Sequence, residues 1–148
     1  MKYALIGCGR IAPNHIAAAK ANGLELVGIC DIDGNSLKDK TSKFGLVNVH
    51  QFLDYHEMLE KEKPEIVAIA TESGKHAAIA LDSIYYGCNL IIEKPIALSL
   101  ADADAILNAA KEKGIKVCVS HQNRFNKSIH KIREALESNR FGRMFYGT

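Results

Sequence analysis

The sequence predicts an α/β protein in which a doubly wound parallel sheet carries helices on both faces. Three observations carry that prediction. Short apolar, β-prone runs alternate with helix-period segments along nearly the whole chain. The first apolar run, residues 2–6, leads straight into Gly7-Cys8-Gly9-Arg10-Ile11-Ala12. Polar and charged groups then collect where the later apolar runs end, at Asp31, Thr71-Glu72-Ser73-Gly74, Glu93-Lys94-Pro95 and Ser120-His121-Gln122-Asn123-Arg124.

The elements follow in order. Residues 2–6 read as a strand. A helix opens at Ala12, where Pro13 suits the first turn because a missing N–H costs nothing there, and Ile16, Ala17, Ala19 and Lys20 continue it. Residues 24–30 form a nearly continuous apolar run, the pattern of a parallel strand buried on both faces. Residues 36–44 read as a short helix, 47–52 as a brief strand, and 55–63 as a helix halted by Pro64. A strongly apolar strand covers 65–70, a helix closed by Gly87 covers 76–86, and another buried strand covers 89–92. Ser99 with Asp102 resembles a capping box opening a helix over 100–113, which Gly114 ends. Residues 116–120 are a sixth strand, 127–138 a last helix, and 144–147 the start of a β-like segment. Right-handed crossovers then give the strand order 3-2-1-4-5-6, with ligand at the carboxyl ends near the switch point.

Composition narrows the class. The 148 residues, 47% hydrophobic and 24% charged, suffice for one packed domain and are too few for two. A net charge of +2, with acids and bases interleaved, gives no electrostatic footprint for nucleic acid or an anionic membrane. No apolar run approaches the ~20 residues that span a bilayer, and the chain enters its first strand without room for a signal peptide. Cys8, Cys30, Cys88 and Cys118 are scattered without Cys-x-x-Cys spacing, so reduced thiols and cytosolic residence are expected. The six histidines show no ligand spacing, and no structural metal is expected.

The glycine segment has the form of the dinucleotide-binding fingerprint, with Ala12 in place of the third glycine. Gly7 permits the tight turn, Gly9 lets a pyrophosphate approach the backbone, and Ala12 lets the helix lie against the sheet. The free N–H groups and positive end of that helix favour phosphate. Asp31, closing the next strand, suits an adenosine ribose diol. A purely structural glycine turn is the plain alternative. A methyltransferase binding S-adenosylmethionine is a rival of another class. It usually carries an acid two residues before the first glycine and a glycine at the sixth motif position, whereas this chain has Leu5 and Arg10-Ile11 there.

The Gly7–Ala12 motif, Cys30-Asp31, Ala70-Thr71 followed by His76, Glu93-Lys94-Pro95 and Gln122-Asn123-Arg124-Phe125 together resemble the Gfo/Idh/MocA oxidoreductases, across essentially the whole chain. The segment 120–126, with Phe145-Tyr146-Gly147-Thr148, is most similar to the members that oxidise UDP-N-acetylglucosaminuronate-type nucleotide sugars. The resemblance implies a Rossmann domain binding NAD, with Gly7, Gly9, Arg10 and Ile11 at the pyrophosphate and Asp31 and Ile32 at the adenosine ribose. Ile32 stands where an arginine would accept a 2′-phosphate, and a carboxylate repels one, so NAD is favoured over NADP. Thr71, Ser73 and His76 match positions near the dinucleotide bridge and nicotinamide ribose, although Glu72-Ser73 departs from the commoner Thr-Pro-Asn form. For His76 a helix-start residue satisfied by backbone remains open. Glu93 matches a residue close to the nicotinamide, and Lys94 the lysine contacting the reacting hydroxyl, where proton removal accompanies hydride departure. A surface lysine at a strand end is the alternative for Lys94. Pro95 restricts Lys94 to extended backbone, and a cis bond is compatible with the motif. Gln122 and Arg124 reach substrate or nicotinamide, or simply start a helix.

The same resemblance implies a sugar or nucleotide-sugar substrate, a homo-oligomer, and a second α+β domain that supplies most of the substrate pocket. Residues 1–142 would then be the NAD-binding domain and 143–148 the beginning of the substrate domain. On that reading the chain binds NAD but turns over substrate poorly, because half the walls that orient the reactants are missing. A non-catalytic dinucleotide-sensing module is the alternative.

Overall fold

The computed structural model describes residues 1–146. Its centre is β1 (Lys2–Ile6), whose side chains alternate between two apolar layers. Ala4 and Ile6 face one layer, and Tyr3 and Leu5 face the other. On one side β1 pairs with β2 (Glu25–Cys30), and on the other with β4 (Ile66–Ile69), both parallel. Beyond them lie β3 (His50–Phe52), β5 (Asn89–Glu93) and β6 (Val117–Ser120). All pairs are parallel and the order is β3-β2-β1-β4-β5-β6. This is the doubly wound arrangement read from the alternating pattern.

Helices cover both faces because the strands are apolar on both. One layer holds α1 (Ala12–Ala21) and α2 (Gly34–Phe44), through Ala12, Ile16, Ala19 and Leu37. The other holds α3 (Tyr55–Glu62), α4 (His76–Tyr85) and α5 (Leu100–Lys113), through Met58, Leu59, Ile79, Ile84 and Ile106. The boundaries follow local chemistry. Asp33 accepts from the N–H groups of Asn35 and Ser36, which starts α2 two residues earlier than periodicity alone indicates. Lys63 adopts a left-handed φ of 48° ahead of Pro64 and ends α3. Ser99 Oγ accepts from Asp102 N–H at 3.0 Å and donates to the Asp102 carboxylate at 2.8 Å, a variant of the expected capping box.

Two further parts differ from the sequence reading. β3 is confined to three residues, because it is an edge strand with β2 as its single neighbour. Residues 144–146 form no strand, and the remainder of that expected β-like segment, 147, lies outside the described residues. The last helix, α6 (Lys127–Glu137), buries none of its residues, and Ile129, Ile132 and Leu136 share an exposed apolar stripe.

Candidate functional site

The carboxyl ends of the strands converge on one edge of the sheet. At the end of β1, Gly7 has φ 99°, and a Cβ there would fall 2.5 Å from the Ala70 carbonyl carbon and oxygen. Both its conformation and the close pass of the chain leaving β4 therefore demand glycine. Gly9 is different. Its φ is not left-handed, and a Cβ would meet nothing within 4 Å. The fold itself does not need glycine at this position; what the missing side chain provides is open space beside the loop.

That space faces unspent donors. The N–H groups of Gly9, Arg10 and Ile11 donate to no protein acceptor among the described residues, and Ile11 caps α1 without any side-chain cap. Exposed, uncapped donors at the positive end of a ten-residue helix suit an anion. Cys8, between the two glycines, is fully buried and its N–H donates to Asp31 Oδ2 at 2.7 Å. Burial, and then the neighbouring Asp31 carboxylate, push its thiol up to about 12. Asp31 Oδ1 accepts from Asp33 N–H at 2.9 Å. Each carboxylate oxygen thus holds one backbone donor and keeps a lone pair for another. Ile32, next to it, is 94% exposed and offers an apolar surface.

Across the switch point, Thr71 is half-buried after β4, and Ser73 opens a 3-10 turn over Ser73–Lys75. His76 is buried, with Nδ1 at 2.8 Å from the Pro95 carbonyl and Nε2 at 3.2 Å from the Thr71 carbonyl. Its ring ties the segment after β4 to the segment after β5. Lys94 is exposed, and its peptide bond to Pro95 is cis. Lys94 Nζ makes no hydrogen bond or ion pair among the described residues. Glu93 pairs in register with Ser120, and Gln122 begins a 3-10 turn over Gln122–Phe125 that also contains Arg124. A cleft of about 610 Å³ extends along α1 as far as Asn22 and Leu24, and Ile11, Asn14, His15, Glu93, Ser120 and Gln122 line its part nearest these tips.

The residues singled out from sequence therefore fall into two groups on one edge. Gly7, Gly9, Arg10, Ile11, Asp31 and Ile32 surround the first loop. Thr71, Ser73, His76, Glu93, Lys94 and Gln122 surround the tips of β4, β5 and β6. Sequence reasoning passed over His15, whose Nε2 lies 3.1 Å from Glu93 Oε1 and whose Nδ1 lies 3.3 Å from Tyr3 Oη. One signal was available: His15 shares the buried stripe of α1 with Ala12, Ile16 and Ala19, where a polar ring needs partners.

An open glycine loop at an uncapped helix, with an acid at the tip of the neighbouring strand, defines a dinucleotide-binding domain of the doubly wound class. Residues 1–121 match the model of the Gfo/Idh/MocA oxidoreductase family, NAD-binding Rossmann fold, and the chain belongs to that family. It is 33% identical over 147 residues to a D-apiose dehydrogenase of Paraburkholderia graminis, covering 99% of this chain and 39% of the relative. Among solved structures it resembles the WlbA dehydrogenase of Bordetella pertussis in complex with NADH and UDP-GlcNAcA. That match has TM-score 0.88 and 33% identity over 96% of this chain and 43% of the other. The Chromobacterium violaceum WlbA dehydrogenase, also with NADH and UDP-GlcNAcA, gives TM-score 0.89 and 32% identity over 97% and 41%. The chain spans about two fifths of the length of the relatives it matches. Among the described residues no helix is long and apolar enough to cross a membrane.

Proposed function

We propose that this chain is the cofactor-binding part of an NAD-dependent dehydrogenase acting on a sugar or nucleotide-sugar hydroxyl. The observation that carries the reading is the pairing of the open space at Gly9 with the Asp31 carboxylate across the first loop. Gly7, Gly9, Arg10 and Ile11 hold the pyrophosphate. Asp31 accepts the adenosine ribose hydroxyls through its remaining lone pairs, and Ile32 lies under the adenine-side sugar. Thr71, Ser73 and the His76 backbone junction border the bridge to the second ribose, while Glu93 and Gln122 border the nicotinamide. Lys94, free of partners among the described residues, reaches the substrate hydroxyl and takes part in removing its proton. When bound, NAD supplies the hydride acceptor.

The relatives named above support a substrate of the sugar class, and the two WlbA complexes support a nucleotide sugar. Residues 1–142 form the cofactor domain in this reading, and residues 143–148 begin the substrate domain. Cytoplasmic residence is supported by four free thiols, and homo-oligomer formation by the bare stripe of α6. Calorimetric titration of the chain with NAD, NADP and ADP-ribose tests the cofactor reading. NAD and ADP-ribose are expected to bind and NADP to bind at least about tenfold more weakly, the factor set by about 1.4 kcal/mol of repulsion. Binding of NADP as tight as NAD overturns the role given to Asp31, and absence of all binding overturns the function.

A further inference from the structure

We propose that His15 is a positioning residue that fixes the Glu93 carboxylate and braces the phosphate-binding turn of α1 against the tip of β5. The effect on ligand rests on the NAD reading above; the brace itself does not.

His15 closes the first turn of α1, 8% exposed, on the stripe that packs onto the sheet. A polar ring in that place is costly unless both nitrogens are satisfied. They are: Tyr3 Oη approaches Nδ1 at 3.3 Å and Glu93 Oε1 approaches Nε2 at 3.1 Å. Tyr3 comes from β1 and is 2% exposed, whereas Glu93 comes from the end of β5. Strand β4 separates β1 from β5 in the sheet, so the ring spans a whole strand. On the α1 side β4 carries Ile66 and then Ala68, and Ala70 follows the strand, so toward its carboxyl end only the two alanines face the ring. Larger side chains at those two positions would block the path.

The directions of the hydrogen bonds follow from the partners. A carboxylate oxygen only accepts, so Nε2 carries hydrogen toward Glu93. In the neutral ring Nδ1 is then the acceptor, and the Tyr3 hydroxyl donates to it. The Glu93 side chain is 13% exposed, and His15 is its one hydrogen-bond partner among the described residues. A largely desolvated carboxylate deprived of that partner turns toward water. Glu93 is followed directly by Lys94, and His15 lies one helical turn after Ile11. The brace therefore connects the two ends of the dinucleotide crevice, and its loss should be felt at the nicotinamide end more than at the adenosine end.

Two measurements on the chain decide this. In the unliganded chain with ¹⁵N-labelled histidine, the His15 ring is expected to be the Nε2–H tautomer, and Glu93→Gln and Tyr3→Phe are each expected to shift its ring signals. Signals unmoved by both substitutions overturn the brace. In titrations, the advantage of NAD over ADP-ribose measures the nicotinamide end alone. It is expected to fall about tenfold in His15→Leu, about the size of one charged hydrogen bond, and to return in His15→Gln, which keeps an N–H donor. ADP-ribose affinity is expected to stay within about twofold. Should His15→Leu not fold, Tyr3→Phe, which removes the hydroxyl holding the far side of the ring and lies away from the ligand, supplies the comparison. Equal weakening of both ligands, no weakening, or a wild-type chain without preference for NAD each overturn the positioning role. A wild-type chain that binds neither nucleotide overturns the NAD reading and that role together, while the ring signals still report whether the brace exists.

Discussion

The backbone N–H of Cys8 donates to Asp31 Oδ2 at 2.7 Å, so the glycine loop of β1 is fastened to the tip of β2 by a charged hydrogen bond. The same carboxylate accepts from Asp33 N–H, which leads into the capped start of α2. Asp31 thus has a structural task before any ligand arrives, and it holds the loop in the shape that leaves Gly9 open. Asp31→Ala removes both tasks. Hydrogen bonds to charged groups contribute about 1.5–3 kcal/mol, so NAD affinity is expected to fall by roughly one to two powers of ten. ADP-ribose should lose as much as NAD, because both carry the same adenosine ribose. Calorimetry with both ligands checks this, and unchanged affinity contradicts it.

The two glycines of the loop should separate cleanly. Gly7→Ala puts a methyl group 2.5 Å from the Ala70 carbonyl at a φ of 99°. Neither the backbone of β1 nor that of β4 can yield cheaply, and a loss above about 2 kcal/mol is expected, which lowers Tm by several degrees. Gly9→Ala meets nothing within 4 Å, so its stability should change by no more than about 0.5 kcal/mol. It is nevertheless expected to weaken NAD strongly, because the methyl group occupies the space beside the free N–H groups. Thermal melts and titrations of both variants give four numbers, and only the crossed pattern supports the assignment.

How much of this was legible beforehand depends on the range of the interaction. Strand order and the two helical layers follow from alternation and from uninterrupted apolar runs such as residues 66–69, which are properties of neighbouring residues. Gly9 and Asp31 were legible for the same reason, since a motif lies within one strand–helix–strand unit. The Asp33 cap was missed because apolar periodicity begins only after it. His15 was missed because its meaning depends on Glu93, distant in sequence and adjacent only after β4 and β5 are placed in the sheet. The pairing of His76 with the Thr71 and Pro95 carbonyls is equally non-local at one end, and the sequence left it between ligand contact and backbone bond.

His76 offers a stability test of that pairing. Its ring is 1% exposed and bridges the Pro95 carbonyl at 2.8 Å and the Thr71 carbonyl at 3.2 Å. His76→Leu keeps an apolar body but removes the ring N–H, which in the neutral ring donates to one of the two carbonyls, and a carbonyl left unpaired away from water costs about 1–3 kcal/mol. A loss of about 1–3 kcal/mol in urea denaturation is expected. Because Pro95 follows Lys94, the variant should also weaken NAD relative to ADP-ribose. A neutral effect on stability would mean that water replaces the ring without cost.

The thiols predict how the fold responds to base. Burial pushes Cys8 and Cys30 up to about 12 and Cys88 up to about 11, from an ordinary value of 9.0. For Cys8 and Cys30 nearby negative groups, Asp31 among them, push in the same direction. In the unfolded chain these thiols lose their protons near pH 9, whereas in the folded chain they hold them well beyond it. The folded state therefore binds more protons above pH 9, and stability must fall with rising pH in that range. Below pH 9 the contribution is present in full; between pH 9 and about 11 to 12 it is progressively lost. Urea midpoints should be level from pH 7 to 8.5 and then drop, and Cys88→Ala should soften the drop by removing one of the three groups. Reactivity follows the same logic. Cys118 is exposed and the other three thiols are buried, so iodoacetamide at pH 8 should modify Cys118 alone in the folded chain and all four cysteines in guanidinium. Rapid native modification of Cys8 would show that the glycine loop opens far more readily than its bond to Asp31 allows.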